Sequence, residues 1–82
     1  MTKKLKYLKI SLDYFNPNLD LCNSLKVLPE VESCVRFFPE DPALANILLL
    51  TTSISEINPI IERISTYEGV SYVEQIDKPE LR

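Results

Sequence analysis

The chain has no histidine and no tryptophan, and only one glycine, one methionine and two cysteines among its 82 residues. Each shortage removes a class of chemistry. Histidine is the commonest general base and metal ligand near neutral pH, so neither a Ser-His-Asp nor a Cys-His nucleophile can be assembled. Gly69 alone cannot supply a glycine-rich phosphate loop, whether of the P-loop or the G-x-G-x-x-G kind. Cys22 and Cys34 do not form a C-x-x-C pair, the spacing that would suggest a metal site. Long apolar runs are missing too. The longest, Ile-Leu-Leu-Leu at 47–50, falls far short of the roughly 20 residues that span a bilayer. Carboxylates remain, as in Glu30 and Glu32 or Glu40 and Asp41. They sit beside turns and on solvent faces, where acids serve solubility. The expectation is a chain that is not an enzyme, with no catalytic residue, no cofactor, no metal and no membrane contact.

What is present is ordinary for a folded protein. Apolar residues make up 45% and charged residues 26%, which places the chain with globular rather than disordered sequences. Its length allows one core, so residues 1–82 read as a single domain with a polar tail at 78–82. A core of this size rarely supplies more than a few kcal/mol, and a partner subunit is the usual remedy. The net charge of −3 is unevenly placed. Lys3, Lys4, Lys6 and Lys9 crowd the start, and the rest of the chain holds five basic against twelve acidic residues. Such a body repels phosphate, so no nucleic-acid partner is expected. The lysines read as a solvated strand start. They also interrupt every apolar run at the N-terminus, which argues against a secretory signal. A cytoplasmic protein is expected, with Cys22 and Cys34 as reduced, buried structural thiols.

Periodicity gives the elements. Leu8, Ile10, Leu12 and Tyr14 alternate with Lys9, Ser11 and Asp13, the period-2 pattern of a strand with one face buried. Asn16-Pro17-Asn18 ends it and can open a helix in which Leu21, Leu25 and Leu28 form one stripe, with Cys22 beside it. Pro29 stops that helix. Val31, Ser33, Val35 and Phe37 alternate with Glu32, Cys34, Arg36 and Phe38 as a second strand, and Pro39-Glu40-Asp41-Pro42 must turn. The apolar run within 43–52 suits a central strand covered on both faces. A second helix starts between Ser53 and Asn58, with Ile57, Ile61, Ile64 and Tyr67 as its stripe. Ser53 and Glu56 match a capping box, but Pro59 favours a start at Ser55 or Asn58. Gly69 suits a left-handed helix end, and Val70, Tyr72, Glu74 and Ile76 lead the last strand. The order β-α-β-β-α-β predicts an α+β ferredoxin-like sandwich: a four-stranded antiparallel sheet with two helices on one face.

Two resemblances bear on function. The segment Tyr67-Glu68-Gly69-Val70-Ser71-Tyr72-Val73-Glu74 resembles the end of small regulatory domains of the ACT and Lrp/AsnC effector-binding type, in which a helix ends near Gly-Val before an edge strand. That likeness implies dimers formed through sheets or helices and an amino-acid effector at their interface. The first βα loop of those families typically bears glycine, whereas Asn16-Pro17-Asn18 does not, and no motif in this chain supports a small-molecule effector. The stretch 69–77 is also similar to the last strand of subtilisin-type propeptides and their stand-alone inhibitor relatives, which implies a tail at 77–82 that enters a protease cleft. Two other users of the fold are disfavoured. Its metal-binding relatives carry two cysteines in the first βα loop, which here reads Phe15-Asn16-Pro17-Asn18. RNA-recognition domains stack bases on central-strand aromatics, and the third strand here offers only aliphatic residues.

The functional expectation is a non-catalytic protein-interaction or regulatory module acting through its sheet or an edge strand, with a second copy or another protein as partner; the alternative is a propeptide-like protease inhibitor. On the third strand both alternating sets are apolar. Leu48 and Leu50 are expected on the open face of the sheet, where with exposed Phe38 they would form the interaction strip, while Leu12 and Leu49 would be buried.

Overall fold

The structure, a computed structural model, describes residues 4–38 and 40–78. Of the polar tail read at 78–82, only Lys78 falls within them; the other four residues, and with them most of an inhibitor tail, lie outside the described residues. The elements run β1 (Lys6–Leu12), α1 (Leu21–Lys26), β2 (Val31–Arg36), β3 (Ile47–Thr52), α2 (Asn58–Ser65) and β4 (Val70–Ile76), with a 3-10 turn at Pro42–Leu44 before β3. The fold is α+β. Its four strands form one sheet in the order β2-β3-β1-β4, and every neighbouring pair is antiparallel. Because β3 lies antiparallel between β1 and β2, those two strands run parallel with a strand between them. The same holds for β3 and β4 about β1. Each helix therefore crosses over a strand contributed by the other half of the chain. No helix among the described residues is long and apolar enough to cross a membrane.

One face of the sheet carries the core. Leu8, Ile10 and Leu12 of β1, Leu48 and Leu50 of β3, Cys34 of β2 and Val73 of β4 meet Leu21 and Leu25 of α1 and Ile60 and Ile64 of α2. Helix α1 packs chiefly on β2, and α2 on β4. Helix α1 is shorter than its sequence pattern suggests. It begins after Asp20 rather than at Pro17, Asp20 makes no side-chain cap bond, and Leu28 follows the helix yet still packs against the core. Helix α2 starts at Asn58, with Pro59 in the first turn where no backbone N–H is needed. The capping box at Ser53 goes unused, since that hydroxyl donates instead to Glu32 at 2.8 Å.

Two bulges set which side chains face the helices. Between Val31 and Ser33 the register of β2 on β3 shifts, leaving Glu32 as an extra residue. Between Leu12 and Ser11 the register of β4 on β1 shifts in the same way, leaving Ser71 as the extra residue. Each bulge lies at the start of a strand that follows a helix, and each turns a valine inward. Val31 stands opposite Thr52 and Val70 opposite Leu12, and both pack against the core. Beyond the bulge the alternation of β2 is opposite in sense to the simple period-2 reading: Cys34 is enclosed, while Val35 is about half exposed, at 51%.

Tyr14 also departs from its expected place. Strand β1 ends at Leu12, Asp13 accepts a hydrogen bond from the Phe15 backbone in a tight turn, and Tyr14 and Phe15 stand in solvent with their rings edge to face at 5.1 Å. This turn lies against Gly69. The glycine has φ +82°, and a Cβ there would come within 2.7 Å of the Asn18 nitrogen and 2.9 Å of the Asn16 oxygen. The Asp13 N–H donates to the Gly69 carbonyl at 2.8 Å, and the Asn18 side chain donates to the Glu68 carbonyl at 3.0 Å. The loop after β1 and the turn before β4 are thus one packed unit, and the glycine is required by both its conformation and its neighbours.

Candidate functional site

Residues directly opposite one another on antiparallel strands project to the same face of the sheet. Leu8 faces Leu50 and Ile10 faces Leu48, so the β1 side chains that meet the helices carry Leu48 and Leu50 with them. This corrects the expected interaction strip. Leu50 is fully buried and Leu48 is 6% exposed, both within the helix-covered core, and neither is available to a partner in the folded chain. Phe38 does reach solvent, at 38%. It follows the end of β2 with its ring tilted against Phe37, the centroids 4.6 Å apart.

The opposite, helix-free face takes the other set. Tyr7, Lys9 and Ser11 of β1 lie opposite Thr51, Leu49 and Ile47 of β3. On the flanks, Ile76, Glu74 and Tyr72 of β4 stand beside Tyr7, Lys9 and Ser11, and Val35 of β2 stands beside Leu49. Phe37 extends that register by donating its N–H to the Ile47 carbonyl at 2.9 Å. The result is a largely apolar surface drawn from all four strands, interrupted by Ser11 and Thr51 and, among the described residues, by the charged pair Lys9 and Glu74 at 3.9 Å. Leu49, between Lys9 of β1 and Val35 of β2, is only 4% exposed although no helix covers it. Lys6, by contrast, turns to the helix side and donates to the carbonyls of Ile54 at 3.0 Å and Ser55 at 2.6 Å. It is therefore not a freely solvated lysine.

A second feature lies at the other face, beside α1. Cys34 is buried as expected, whereas Cys22 is only partly covered, and their sulfurs are 2.7 Å apart as free thiols in hydrogen-bond contact. Hydrogen bonding from Cys34 holds the Cys22 thiol below its ordinary pKa, helped by the Lys26 charge and opposed by burial. Cys34 is pushed strongly up, by the same hydrogen bond, by burial and by the negative charge of Cys22. The pair opens on a cleft of about 620 Å³ with Leu19, Ala45 and Leu48 on its apolar wall and, among the described residues, Lys26 and Arg36 as its charged lining groups. Sequence spacing gives no hint of this meeting, since one thiol lies on a helix and the other on a strand. Among the described residues no three His, Cys, Asp or Glu side chains gather in a way that could hold a metal ion.

No family model, no curated protein and no solved structure matches this chain.

Proposed function

We propose that this chain is a ferredoxin-like interaction module that works by pairing the bare faces of two copies, without a catalytic step of its own. The strand order and the two crossed βαβ units support the ferredoxin-like reading. The observation that carries the function is the bare face itself: Tyr7, Val35, Phe37, Ile47, Leu49, Tyr72 and Ile76 form one apolar surface on the side that no helix covers. A sheet of four strands is about 19 Å across and roughly 20 Å long, a footprint of the size that specific interfaces use. Monomers rarely leave such a surface wet.

One charged pair favours a second copy as the occupant. Lys9 and Glu74 lie side by side on the bare face, 3.9 Å apart, and two faces stacked about a two-fold axis can exchange these partners across the interface, which complements rather than repels. Small size points the same way, since burying this face enlarges a modest core.

Light scattering and sedimentation across a dilution series test the reading. Particles of two 9.4 kDa chains are expected at high concentration. Val35→Glu combined with Tyr72→Glu, at positions 51% and 59% exposed in the single chain, should give monomers that melt where the dissociated wild type does. A wild-type monomer at every concentration, or a dimer that persists in the double variant, would refute it.

A further inference from the structure

We propose that Cys22 and Cys34 form a dithiol site that exchanges with a low-molecular-weight disulfide bearing carboxylates, bound in the cleft beside α1. The site lies on the helix-covered side and uses no residue of the bare face, so it stands apart from the pairing of two copies.

Geometry is the first support. At 2.7 Å, the sulfurs need to close by less than an ångström to reach the bond length of about 2.05 Å. The two thiols are also unequal in the way exchange requires. Cys22 is partly exposed and borders an open cleft, while Cys34 is fully buried behind it. An incoming disulfide therefore meets Cys22 first, and Cys34 is placed to resolve the adduct. The groups acting on Cys22 are Cys34 from β2 and Lys26 from α1, and Arg36 lines the same cleft. Among the described residues the charged groups of the lining are these two cations. Thiolate is the reactive form, and this environment favours it at Cys22.

The chemistry balances without any further reagent. The Cys22 thiolate attacks one sulfur of R–S–S–R, forming a mixed disulfide and expelling one thiolate, which takes up a proton. With Cys22 no longer negative, the charge that kept Cys34 protonated is gone. Cys34 loses its proton and attacks the Cys22 sulfur, and the second thiolate leaves and is protonated. Two protein thiols are oxidised by two electrons to a Cys22–Cys34 disulfide, and one external disulfide is reduced to two thiols. The protons lost by the cysteines are those gained by the products. Lys26 and Arg36 line an apolar cleft and select the ligand class: a compact disulfide with carboxylates that pair with them and stems that cover Leu19 and Ala45.

Oxidised glutathione and neutral hydroxyethyl disulfide serve as probes, with intact mass read after acid quench. The wild-type chain should lose the mass of two hydrogens with glutathione disulfide, with no lasting adduct. Cys34→Ser, and Cys34→Ala as a second variant if the first folds poorly, should stop at one glutathione adduct on Cys22. Cys22→Ser should gain none until unfolded. Lys26→Glu with Arg36→Glu should slow reaction with glutathione disulfide by about tenfold or more and slow the neutral reagent by distinctly less, through loss of the Lys26 charge that favours the Cys22 thiolate. Alkylation of Cys22 should reach its plateau at lower pH in the wild type than in Cys34→Ala, which lacks the hydrogen bond from Cys34. Tyr72→Glu on the bare face should exchange at the wild-type rate, which separates failure here from failure of the pairing. Two thiols that stay free in excess glutathione disulfide, an adduct that appears first on Cys34, or charge reversal that slows both reagents equally would each overturn the proposal.

Discussion

The two faces of the sheet are built from the same strands yet differ in what their apolar side chains do. On the helix side, Leu8, Leu50, Leu25 and Ile64 are wholly enclosed between the sheet and the two helices. On the bare side, Leu49 is nearly as inaccessible although no helix lies over it, while Val35 beside it and Tyr72 on β4 stand partly in water. Burial as a number does not separate these cases. The packing around each residue does: loss of a core leucine leaves a cavity between sheet and helices that its neighbours fill only in part, whereas Leu49 lies on the helix-free face between Lys9 and the half-exposed Val35, which can settle towards it.

The largest expected effect tests that contrast. Leu50→Ala should cost about 3–5 kcal/mol, close to the whole stability of so small a domain, whereas Leu49→Ala should cost about 1–2 kcal/mol in the dissociated chain. Urea unfolding at low protein concentration measures both. Equal losses would mean that the two faces are equally rigid. A larger loss at Leu49 would reverse the assignment of the faces.

How much of this could be read from the sequence depends on the strand. The alternation at Leu8, Ile10 and Leu12 stated its own buried face, and the glycine after the second helix announced the left-handed turn that Gly69 makes. Strand β3 could not be read this way, because a central strand is apolar on both sides and period-2 patterning then carries no sign. Only pairing supplies it, through Leu8 opposite Leu50 and Ile10 opposite Leu48. Strand β2 was misread beyond its first residue for a different reason: the extra residue at Glu32 inverts the alternation, and no residue type marks a bulge of that kind. The thiol pair was illegible altogether. It exists because α1 lies over β2, a tertiary fact with no local signature.

A smaller effect is expected where the faces meet the loops. Gly69→Ala introduces a Cβ at φ +82° against the Asn16–Asn18 backbone, and should cost about 1–3 kcal/mol while leaving the bare face able to pair. Thermal melts and light scattering on one sample check both halves of that statement. Loss of pairing out of proportion to loss of stability would show that this turn shapes the bare face. The smallest effect should come from the ion pair between Arg63 of α2 and Glu30 before β2, at 2.9 Å. Both groups are partly exposed, so Arg63→Ala should cost less than about 1 kcal/mol and less still in high salt. A loss that approached that of Leu50→Ala would place the anchoring of α2 in this pair rather than in Ile60 and Ile64.

The crossed arrangement of the two βαβ units also governs how the chain can be made. Strand β1 bonds only to β3 and β4, and β2 only to β3. When translation has delivered residues up to Arg36, the nascent polypeptide therefore holds two strands that cannot bond to each other. At about 5–20 residues per second, these strands wait for seconds with their edges open, until β3 emerges and enters between them. Tyr7, near the start of the chain, must wait longer still for Ile76. Such distant pairings make folding slow for the size of the domain, and the sheet cannot close until Ile76 has been made. A ribosome stalled midway would present an aggregation-prone ribbon, not half a domain.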